Sequence, residues 1–190
     1  MPSLRDLLRL RTRAAHEALE ATGLMCDFAQ GRISDAQYRL YLRLQQRLHA
    51  TLEAGLAPWL PPEIAAIRLG KSEWLAADLL ALGSTPDMAD GAASVITSYA
   101  AALGTLYVLE GGTLGLQVVR RRLPDSHPAL HGAGRFLLGY GSDTGRRWQT
   151  FVVLLDALPA ADWPTALAAA EATFQAFHTA FAESPCAAMS

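Results

Sequence analysis

The sequence predicts an all-α fold, with one domain built as a helical bundle. Apolar residues recur at the three- and four-residue spacing of amphipathic helices along most of the chain. The short β-rich runs that a sheet needs are almost absent, apart from ambiguous patches near Val95, Val118 and Phe151. The chain has 190 residues, no internal repeat and no long linker, so we expect a single domain over residues 1–190.

Eight helices are expected, each opened by a capping residue or bounded by glycine or proline. Ser3 and Asp6 form a capping box at the first helix, which Gly23 ends, and Ser34 caps the second helix. Prolines within residues 58–62 separate the second helix from a short third one. The expected bounds are residues 4–21, 34–53, 63–69, 71–82, 90–123, 135–138, 146–158 and 163–183.

Composition and charge exclude several classes of protein. Sixteen Lys and Arg against eighteen Asp and Glu give a net charge of −2, so no overall field favours nucleic acid or an anionic membrane. Cys26 and Cys186 form neither a disulfide framework nor a metal motif, and the N-terminus lacks the apolar core of a signal peptide. Residues 91–109 carry no charge, but their serines and threonines favour a buried helix over a membrane span. We therefore expect a cytoplasmic protein that binds neither nucleic acid nor membrane.

The first helix places a histidine beside arginines. On a helical projection, His16 stands at the edge of an apolar stripe formed by Leu4, Leu7, Leu8, Ala14, Ala15, Ala18 and Leu19. The same side of the helix carries Arg5, Arg9, Arg13, Thr12 and Glu20. This arrangement suits an anionic, largely apolar ligand, although a partly buried histidine with one hydrogen bond explains it as well. Glu20, one turn after His16, can fix the imidazole tautomer by accepting a hydrogen bond from the ring nitrogen that binds no metal.

Three glycines interrupt the apolar pattern of the long helix. Gly111, Gly112 and Gly115 each cost about 1 kcal/mol relative to alanine inside a helix, so something must compensate. Three explanations remain open at this point. The helix stops at Gly111 and Gly112 and restarts at Thr113, another helix packs closely on Gly111 and Gly115, or a large flat ligand lies against bare backbone.

Together, these segments resemble the heme oxygenase family, especially its bacterial members associated with biliverdin-binding phytochromes. The family's first-helix pattern, R-x-x-T-x-x-x-H-x-x-x-E, corresponds here to Arg9, Thr12, His16 and Glu20. Its distal-helix pattern is close to Y-V-L-E-G-S-T-L-G-G-Q-V, and residues 107–118 read YVLEGGTLGLQV. Residues 135–148 are similar to the family's next loop and helix start, so the likeness covers nearly the whole chain.

The resemblance implies a heme-oxygenase-like bundle that opens heme to biliverdin, carbon monoxide and ferrous iron, with heme as substrate and prosthetic group. His16 would bind the heme iron, Glu20 would orient His16, and Gly111 and Gly115 would approach the heme plane and leave room for O₂. The side chains implied near the heme propionates are Arg9, Arg13, Tyr107 and Arg147. The implied partners are heme, O₂, an electron donor such as a ferredoxin or a flavin reductase, and a phytochrome that accepts biliverdin.

Two positions depart from the family pattern. Leu116 replaces a Gly or Ala and is expected to narrow the distal pocket or to shift the attacked meso carbon, which leaves a noncatalytic heme-binding or carrier protein as the alternative function. Gly112 stands where some members carry an Asp that organises distal waters, so backbone groups would hold those waters here. A di-iron carboxylate bundle is disfavoured, because its paired Glu and E-x-x-H ligands are missing from the sequence.

Overall fold

The computed structural model describes residues 2–86, 96–125 and 127–184, and this part of the chain is all-helical. Its α-helices are α1 (Leu4–Glu20), α2 (Gly23–Ala29), α3 (Asp35–Leu56), α4 (Pro62–Arg68), α5 (Lys71–Ala81), α6 (Tyr99–Arg120), α7 (Arg135–Leu138), α8 (Thr144–Asp156) and α9 (Trp163–Ala182). Short 3-10 turns occupy Ala57–Trp59, Pro128–Leu130, Gly141–Asp143 and Ala160–Asp162. The all-α prediction is confirmed, and seven of the eight expected helices have both ends within three residues of expectation.

Local capping explains where the first long helices begin. The Ser3 hydroxyl accepts a hydrogen bond from the Asp6 N–H (3.2 Å), and the Asp6 carboxylate accepts one from the Ser3 N–H (3.3 Å). Ser34 and Gln37 make the same reciprocal pair at the start of α3. Both N-caps were expected from the sequence, and both are confirmed.

The second helix, α2, was not expected. Thr22 has extended backbone angles, so α1 ends, but Gly23 then opens a new helix instead of only ending the first one. Leu24 and Phe28, four residues apart on one face of α2, are both buried, and this burial compensates for the weak helix propensity of the opening glycine.

The long helix α6 is shorter than the sequence predicts. Ser98 caps it by accepting a hydrogen bond from the Ala101 N–H (3.1 Å), and residues 96–98 are not helical. The expected start near Asp90 lies outside the described residues, but the expectation of an unbroken helix from there into α6 is wrong at residues 96–98. The helix ends at Arg120, three residues before the expected end.

The centre of the described bundle is α9. Both α1 and α6 pack along α9 more than against each other, while α5 packs on α3 and α8 on α6. At Gly104, α6 approaches α9 so closely that a Cβ would lie 2.0 Å from the carbonyl oxygen of Ala166. The fully buried side chains at the core include Leu8, Leu42, Leu75, Leu103, Leu106 and Phe151.

Among the helices of the described residues, α6 is long and apolar enough by length and composition to cross a membrane. Most of it is buried inside the bundle, as in the core helix of a globular domain. This burial supports the expectation of a core helix for the part of residues 91–109 that the structure describes.

Candidate functional site

The first half of the site lies on α1, where three residues follow one another at four-residue steps. Thr12 is buried, and its hydroxyl donates a hydrogen bond to the carbonyl of Leu8 (2.8 Å). The His16 side chain is 54% exposed, and its Nδ1 lies 3.5 Å from Oε2 of Glu20. Phe174 of α9 meets the His16 ring edge-on, with ring centroids 5.6 Å apart. His16 is therefore steadied by Glu20 and Phe174, while half of its side chain stays open.

Positive charge surrounds this histidine on α1. Arg9 and Arg13 are both exposed. Nε of Arg13 lies 3.2 Å from Glu17, in a solvent-exposed pair of the kind that contributes little to stability. Arg9 makes no ion pair with the described residues, so its guanidinium is available to an anionic group.

The buried face of α1 is narrower than the sequence predicts. Ala14 and Ala18 are exposed, so their assignment to a buried apolar stripe is wrong. The buried residues of α1 are Leu4, Leu8, Thr12 and Leu19, and the helix packs against α9, α8 and α2. The two alanines lie almost opposite His16 around the helix and add small exposed apolar surface there.

The second half of the site is the glycine face of α6. The helix runs without a break through Gly111, Gly112 and Gly115, so the explanation that it stops and restarts there is wrong. A Cβ at Gly112 or Gly115 would meet no atom within 4 Å, and one at Gly111 would meet only the Trp148 ring at 3.9 Å. Among the described residues no other helix packs on Gly112 or Gly115, and the Trp148 ring of α8 meets Gly111 only at ordinary contact distance, so close helix packing does not explain these glycines either. Bare backbone that faces open space is what a flat ligand requires.

Tyr107 brings the two halves together. Its ring lies 5.9 Å from that of Trp148, and burial raises the pKa of its hydroxyl, against the opposing effects of a hydrogen bond with Thr12 and the positive charge of Arg9. Thr12 is one turn before His16, and Tyr107 is one turn before Gly111. The contact between α1 and α6 therefore lies next to both the histidine and the glycine face.

Comparison with known proteins identifies the family of the chain. A sequence model described as heme oxygenase matches residues 3–183. A heme oxygenase of Xanthomonas campestris pv. campestris (strain 8004) is 34% identical over 170 residues, which cover 84% of this chain and 97% of that protein. The chain belongs to the heme oxygenase family. Its resemblance to that family is confirmed, while the association with phytochromes stays a prediction.

Solved heme oxygenases share the fold of this family member. Heme oxygenase-1 from the cyanobacterium Synechocystis sp. PCC6803, in complex with heme, has a TM-score of 0.78 at 18% identity, over 99% of this chain and 95% of that one. The NO- and CO-bound heme oxygenase from Neisseria meningitidis has a TM-score of 0.73 at 22% identity, over 96% and 92%. The family assignment makes the chain a heme-degrading oxidoreductase, with heme as substrate and prosthetic group.

The residues of this heme oxygenase fit the heme group in three respects. A half-exposed imidazole suits an axial iron ligand, and Glu20 at Nδ1 leaves Nε2 as the free ring nitrogen. Exposed guanidinium groups on the same helix suit the heme propionates. The open backbone at Gly112 and Gly115 suits the flat porphyrin face.

Leu116 does not lie on the open face of the distal helix. Its side chain is 7% exposed and belongs to the hydrophobic core. Leu116 is one turn after Gly112 and only about 40° away from it around the helix, so it lies at the border of the open face, where its side chain turns into the core while Gly112 and Gly115 stay exposed. This burial does not favour a narrowing of the distal pocket by Leu116, and the effect of Leu116 on the pocket stays a prediction.

Arg147 is also placed away from the other predicted heme contacts. Its guanidinium carbon lies 4.5 Å from the centroid of the Tyr140 ring, and one guanidinium nitrogen donates to the carbonyl of Ile67 (3.4 Å). It lines a cavity of about 500 Å³ together with Trp74 and Arg135, and no residue of α1 or α6 lines that cavity. This position does not favour the predicted propionate role of Arg147.

A separate cavity of about 810 Å³ between α3 and α9 likewise contains no predicted site residue.

A buried ionic cluster on the distal helix was missed by the sequence reasoning. Glu110 is 2% exposed, and its carboxylate accepts hydrogen bonds from Lys71 Nζ (2.6 Å), Arg68 (2.7 Å) and the Tyr140 hydroxyl (2.9 Å). Burial, and with it the negative charge of Glu110, raises the pKa of Tyr140, so this phenol stays protonated as a donor. A signal was present in the sequence, because Glu110 is the one charged residue within 91–119 and Lys71 is the only lysine of the chain.

A second buried carboxylate adjoins this cluster. Glu53 of α3 accepts hydrogen bonds from the Lys71 N–H (2.7 Å) and the Ser72 hydroxyl (2.5 Å) at the start of α5. Burial acts to raise the pKa of Glu53, but the neighbouring His49 and these hydrogen bonds outweigh it and lower the pKa to about 2. Glu53 is therefore a charged cap that joins α3 to α5.

Proposed function

We propose that this heme oxygenase binds heme between His16 of α1 and the glycine face of α6, and opens it to biliverdin, carbon monoxide and ferrous iron. When bound, heme supplies the iron at which O₂ is reduced and the porphyrin ring that is oxidised. The observation that carries the proposal is the meeting of a half-exposed histidine and a bare glycine face beside one interhelical contact.

Each residue of the site has a separate role in this proposal. His16 binds iron through Nε2, and Glu20 attracts the Nδ1–H at 3.5 Å and so favours that tautomer. Arg9 and Arg13 bind the propionates and thereby fix how the ring is turned in its plane. Gly111, Gly112 and Gly115 would let the porphyrin lie close to the backbone of α6, because no side chain stands there.

The reaction needs partners of defined chemistry. Opening the ring consumes O₂ and electrons, so a ferredoxin or a flavin reductase is the proposed donor. The resemblance of residues 107–118 to phytochrome-associated members supports a phytochrome as the acceptor of biliverdin. The cytoplasm is the proposed compartment, since such donors and acceptors operate there and the apolar helix α6 is mostly buried in the bundle.

A noncatalytic heme carrier is the alternative function. This alternative depends on a distal pocket that Leu116 obstructs. The Leu116 side chain is buried in the core, which does not favour such an obstruction. The open glycine face therefore favours the enzyme over the carrier.

The test is a hemin titration of the purified protein followed by reductant, air and catalase. We expect a histidine-ligated Soret band that is lost as a broad red biliverdin band grows. His16→Ala is expected to abolish turnover and the histidine-ligated spectrum, because no other predicted ligand lies on α1. His131→Ala removes an exposed loop histidine and is the matched control.

Either of two results would contradict the proposal. Full turnover with an unchanged heme spectrum in His16→Ala would remove His16 as the iron ligand. A Soret band that survives reductant and air in the wild-type protein would indicate the carrier. Circular dichroism of His16→Ala checks that the helical fold is intact, which is expected because the side chain is half exposed.

A further inference from the structure

We propose that Glu110 is a positioning residue for heme oxygenation. It fixes the rotation of α6 about its axis, and this rotation determines which biliverdin isomer is formed. The inference rests on the heme site proposed above and adds a role for residues that touch no part of that site. Glu110 directly precedes Gly111 in the sequence, but its side chain lies on the buried face of α6. It can therefore act on the open face only through the orientation of the helix backbone.

Three separate elements hold the Glu110 carboxylate. Lys71 at the start of α5 donates to Oε1 (2.6 Å), and Arg68 at the end of α4 donates to Oε2 (2.7 Å). Tyr140, which follows α7, donates to Oε1 (2.9 Å). Because both oxygens are engaged and the donors come from different elements of the fold, the carboxylate is fixed in orientation as well as in position.

The donors are themselves anchored to further helices. Arg68 also donates to the carbonyl of Arg147 (2.9 Å) and to the hydroxyl of Thr150 (2.9 Å), both on α8. The backbone N–H of Lys71 donates to Glu53 of α3 (2.7 Å). The cluster therefore ties one point of α6 to α3, α4, α5 and α8.

Helix geometry carries this constraint to the glycine face. Residues two apart in a helix differ in direction by about 200°, so Gly112 faces almost opposite to Glu110. A rotation of α6 by about 13° would move its backbone, at a radius of about 2.3 Å, by roughly 0.5 Å. Displacements of about 0.5 Å are enough to disturb a reacting geometry. The hydrogen-bonded cluster around Glu110, on the buried face of α6, can therefore determine which meso carbon of heme lies nearest to O₂.

The alternative is that the cluster serves only stability, and two considerations argue against it. Buried ion pairs are often no more stabilising than apolar residues of the same volume, because desolvation offsets the attraction. The stretch after Glu110 also holds three glycines that stabilise helix poorly, and no other described helix covers two of them, Gly112 and Gly115. Such a segment keeps a single backbone geometry only if contacts from other elements of the fold hold it in place.

Two substitutions test the proposal without leaving an uncompensated buried charge. Lys71→Met removes one donor and keeps the Arg68–Glu110 pair, and Tyr140→Phe removes a single hydroxyl. Tyr38→Phe is the matched control, because its buried hydroxyl donates to the carbonyl of Ala133 (2.7 Å) and lies on α3, outside the cluster. The three variants are compared by thermal melting, by amide hydrogen exchange over residues 111–117 in heme-free protein, by the absorption spectrum of the ferric heme complex, and by chromatography of the biliverdin isomers.

We expect exchange over residues 111–117 to accelerate about tenfold in Lys71→Met, as for the loss of one charge-assisted hydrogen bond, and less in Tyr140→Phe. Both variants are expected to alter the ferric heme spectrum and to produce a mixture of biliverdin isomers. Tyr38→Phe is expected to lower Tm. Its amide exchange over residues 111–117, its ferric heme spectrum and its ratio of biliverdin isomers are expected to be those of the wild type.

The proposal is overturned if Lys71→Met and Tyr140→Phe lower Tm but leave the isomer ratio as in the wild type, whether or not exchange accelerates. An equal change of isomer ratio in Tyr38→Phe would overturn it as well, because any buried defect would then have the same effect. The exchange experiment uses no heme, so it reports on the hydrogen-bonded cluster around Glu110 independently of His16. Failure of wild-type turnover would instead count against the proposed function.

Discussion

At the scale of single residues, the glycines of α6 divide into two kinds. Gly104 is required by packing, since a Cβ there would lie 2.0 Å from the backbone of Ala166. Gly112 and Gly115 face open space, and the fold alone does not require them. Their helix propensity cost of about 1 kcal/mol each is thus a property of the site and not of the bundle.

This difference predicts opposite effects for the same substitution. Gly115→Ala is expected to raise the free energy of unfolding of heme-free protein by about 0.5–1 kcal/mol, because the methyl group meets no atom. The same methyl group is expected to weaken heme binding and slow turnover several-fold, since it stands where the heme plane approaches. Urea unfolding without heme and a hemin titration measure the two effects.

Gly104→Ala supplies the control for that prediction. It is expected to destabilise the protein by about 1–3 kcal/mol, as overpacking of a core does, because α6 must move away from Ala166. Faster or unchanged turnover in Gly115→Ala, or greater stability in Gly104→Ala, would show that the two glycines have been assigned to the wrong roles.

The sequence was informative about some of these residues and silent about others. His16 and Glu20 were predictable because their four-residue spacing places them side by side on any helix. The burial of Leu116 was not, because the family pattern gives its register but not the direction in which α6 faces the core. The partners of Glu110 were not predictable either, since Lys71 and Arg68 lie about 40 residues away in the chain.

At the scale of elements, α3 and α5 are joined by groups that respond to acid. His49 is 3% exposed and packs edge-on against Phe136, with ring centroids 5.3 Å apart. Burial lowers the pKa of His49 below its usual 6.5, although Glu53 one turn later opposes this effect. His49 is therefore neutral in the folded protein near neutral pH, while Glu53 is ionised.

Both shifts predict loss of stability on acidification, in two separate ranges. As pH falls below 6.5, the unfolded chain binds a proton at His49 that the folded chain does not, so the free energy of unfolding falls. Between pH 4.5 and about 2 the same holds for Glu53, because its depressed pKa means that the unfolded chain takes up this proton first. His49→Gln is expected to flatten the first range, as measured by urea unfolding at about pH 7.5 and about pH 5, and to weaken the second range as well, because His49 contributes to the depressed pKa of Glu53.

Two outcomes would count against this account of α3 and α5. The same pH dependence in His49→Gln and in the wild type would show that the acid sensitivity above pH 5 comes from other groups. The loop variant His131→Gln is the control, and a flattened pH dependence there would remove the specific role of His49.

Element boundaries were predictable where local chemistry sets them. The capping boxes at Ser3 and Ser34 satisfy backbone donors within four residues, so the sequence alone specifies them. The start of α2 was not predictable, because a helix of seven residues is stabilised mainly by burial of Leu24 and Phe28 against other elements. Tertiary contacts, which no local pattern contains, decide such short helices.

At the scale of the whole molecule, the bundle holds the two halves of the site on a shared support. α9 packs against both α1 and α6, which meet each other only weakly, and it supplies Phe174 beside His16. A ligand that binds to His16 and lies on the glycine face would join α1 to α6 directly. Heme is therefore expected to act as an additional core element of the bundle.

This predicts that heme stabilises the whole fold and not the site alone. A ligand present at 100 times its Kd adds about 2.7 kcal/mol to the free energy of unfolding, which for a domain of this size corresponds to a rise in Tm of roughly 5–10 °C. His16→Ala is expected to lose most of this rise at the same heme concentration, because α1 would no longer be bonded to the ligand, while its heme-free Tm stays close to that of the wild type. Thermal melting followed by circular dichroism, with and without hemin, measures both. An equal rise in Tm for wild type and His16→Ala would mean that heme binds elsewhere. The stabilisation by heme would then not depend on a bond between the ligand and His16.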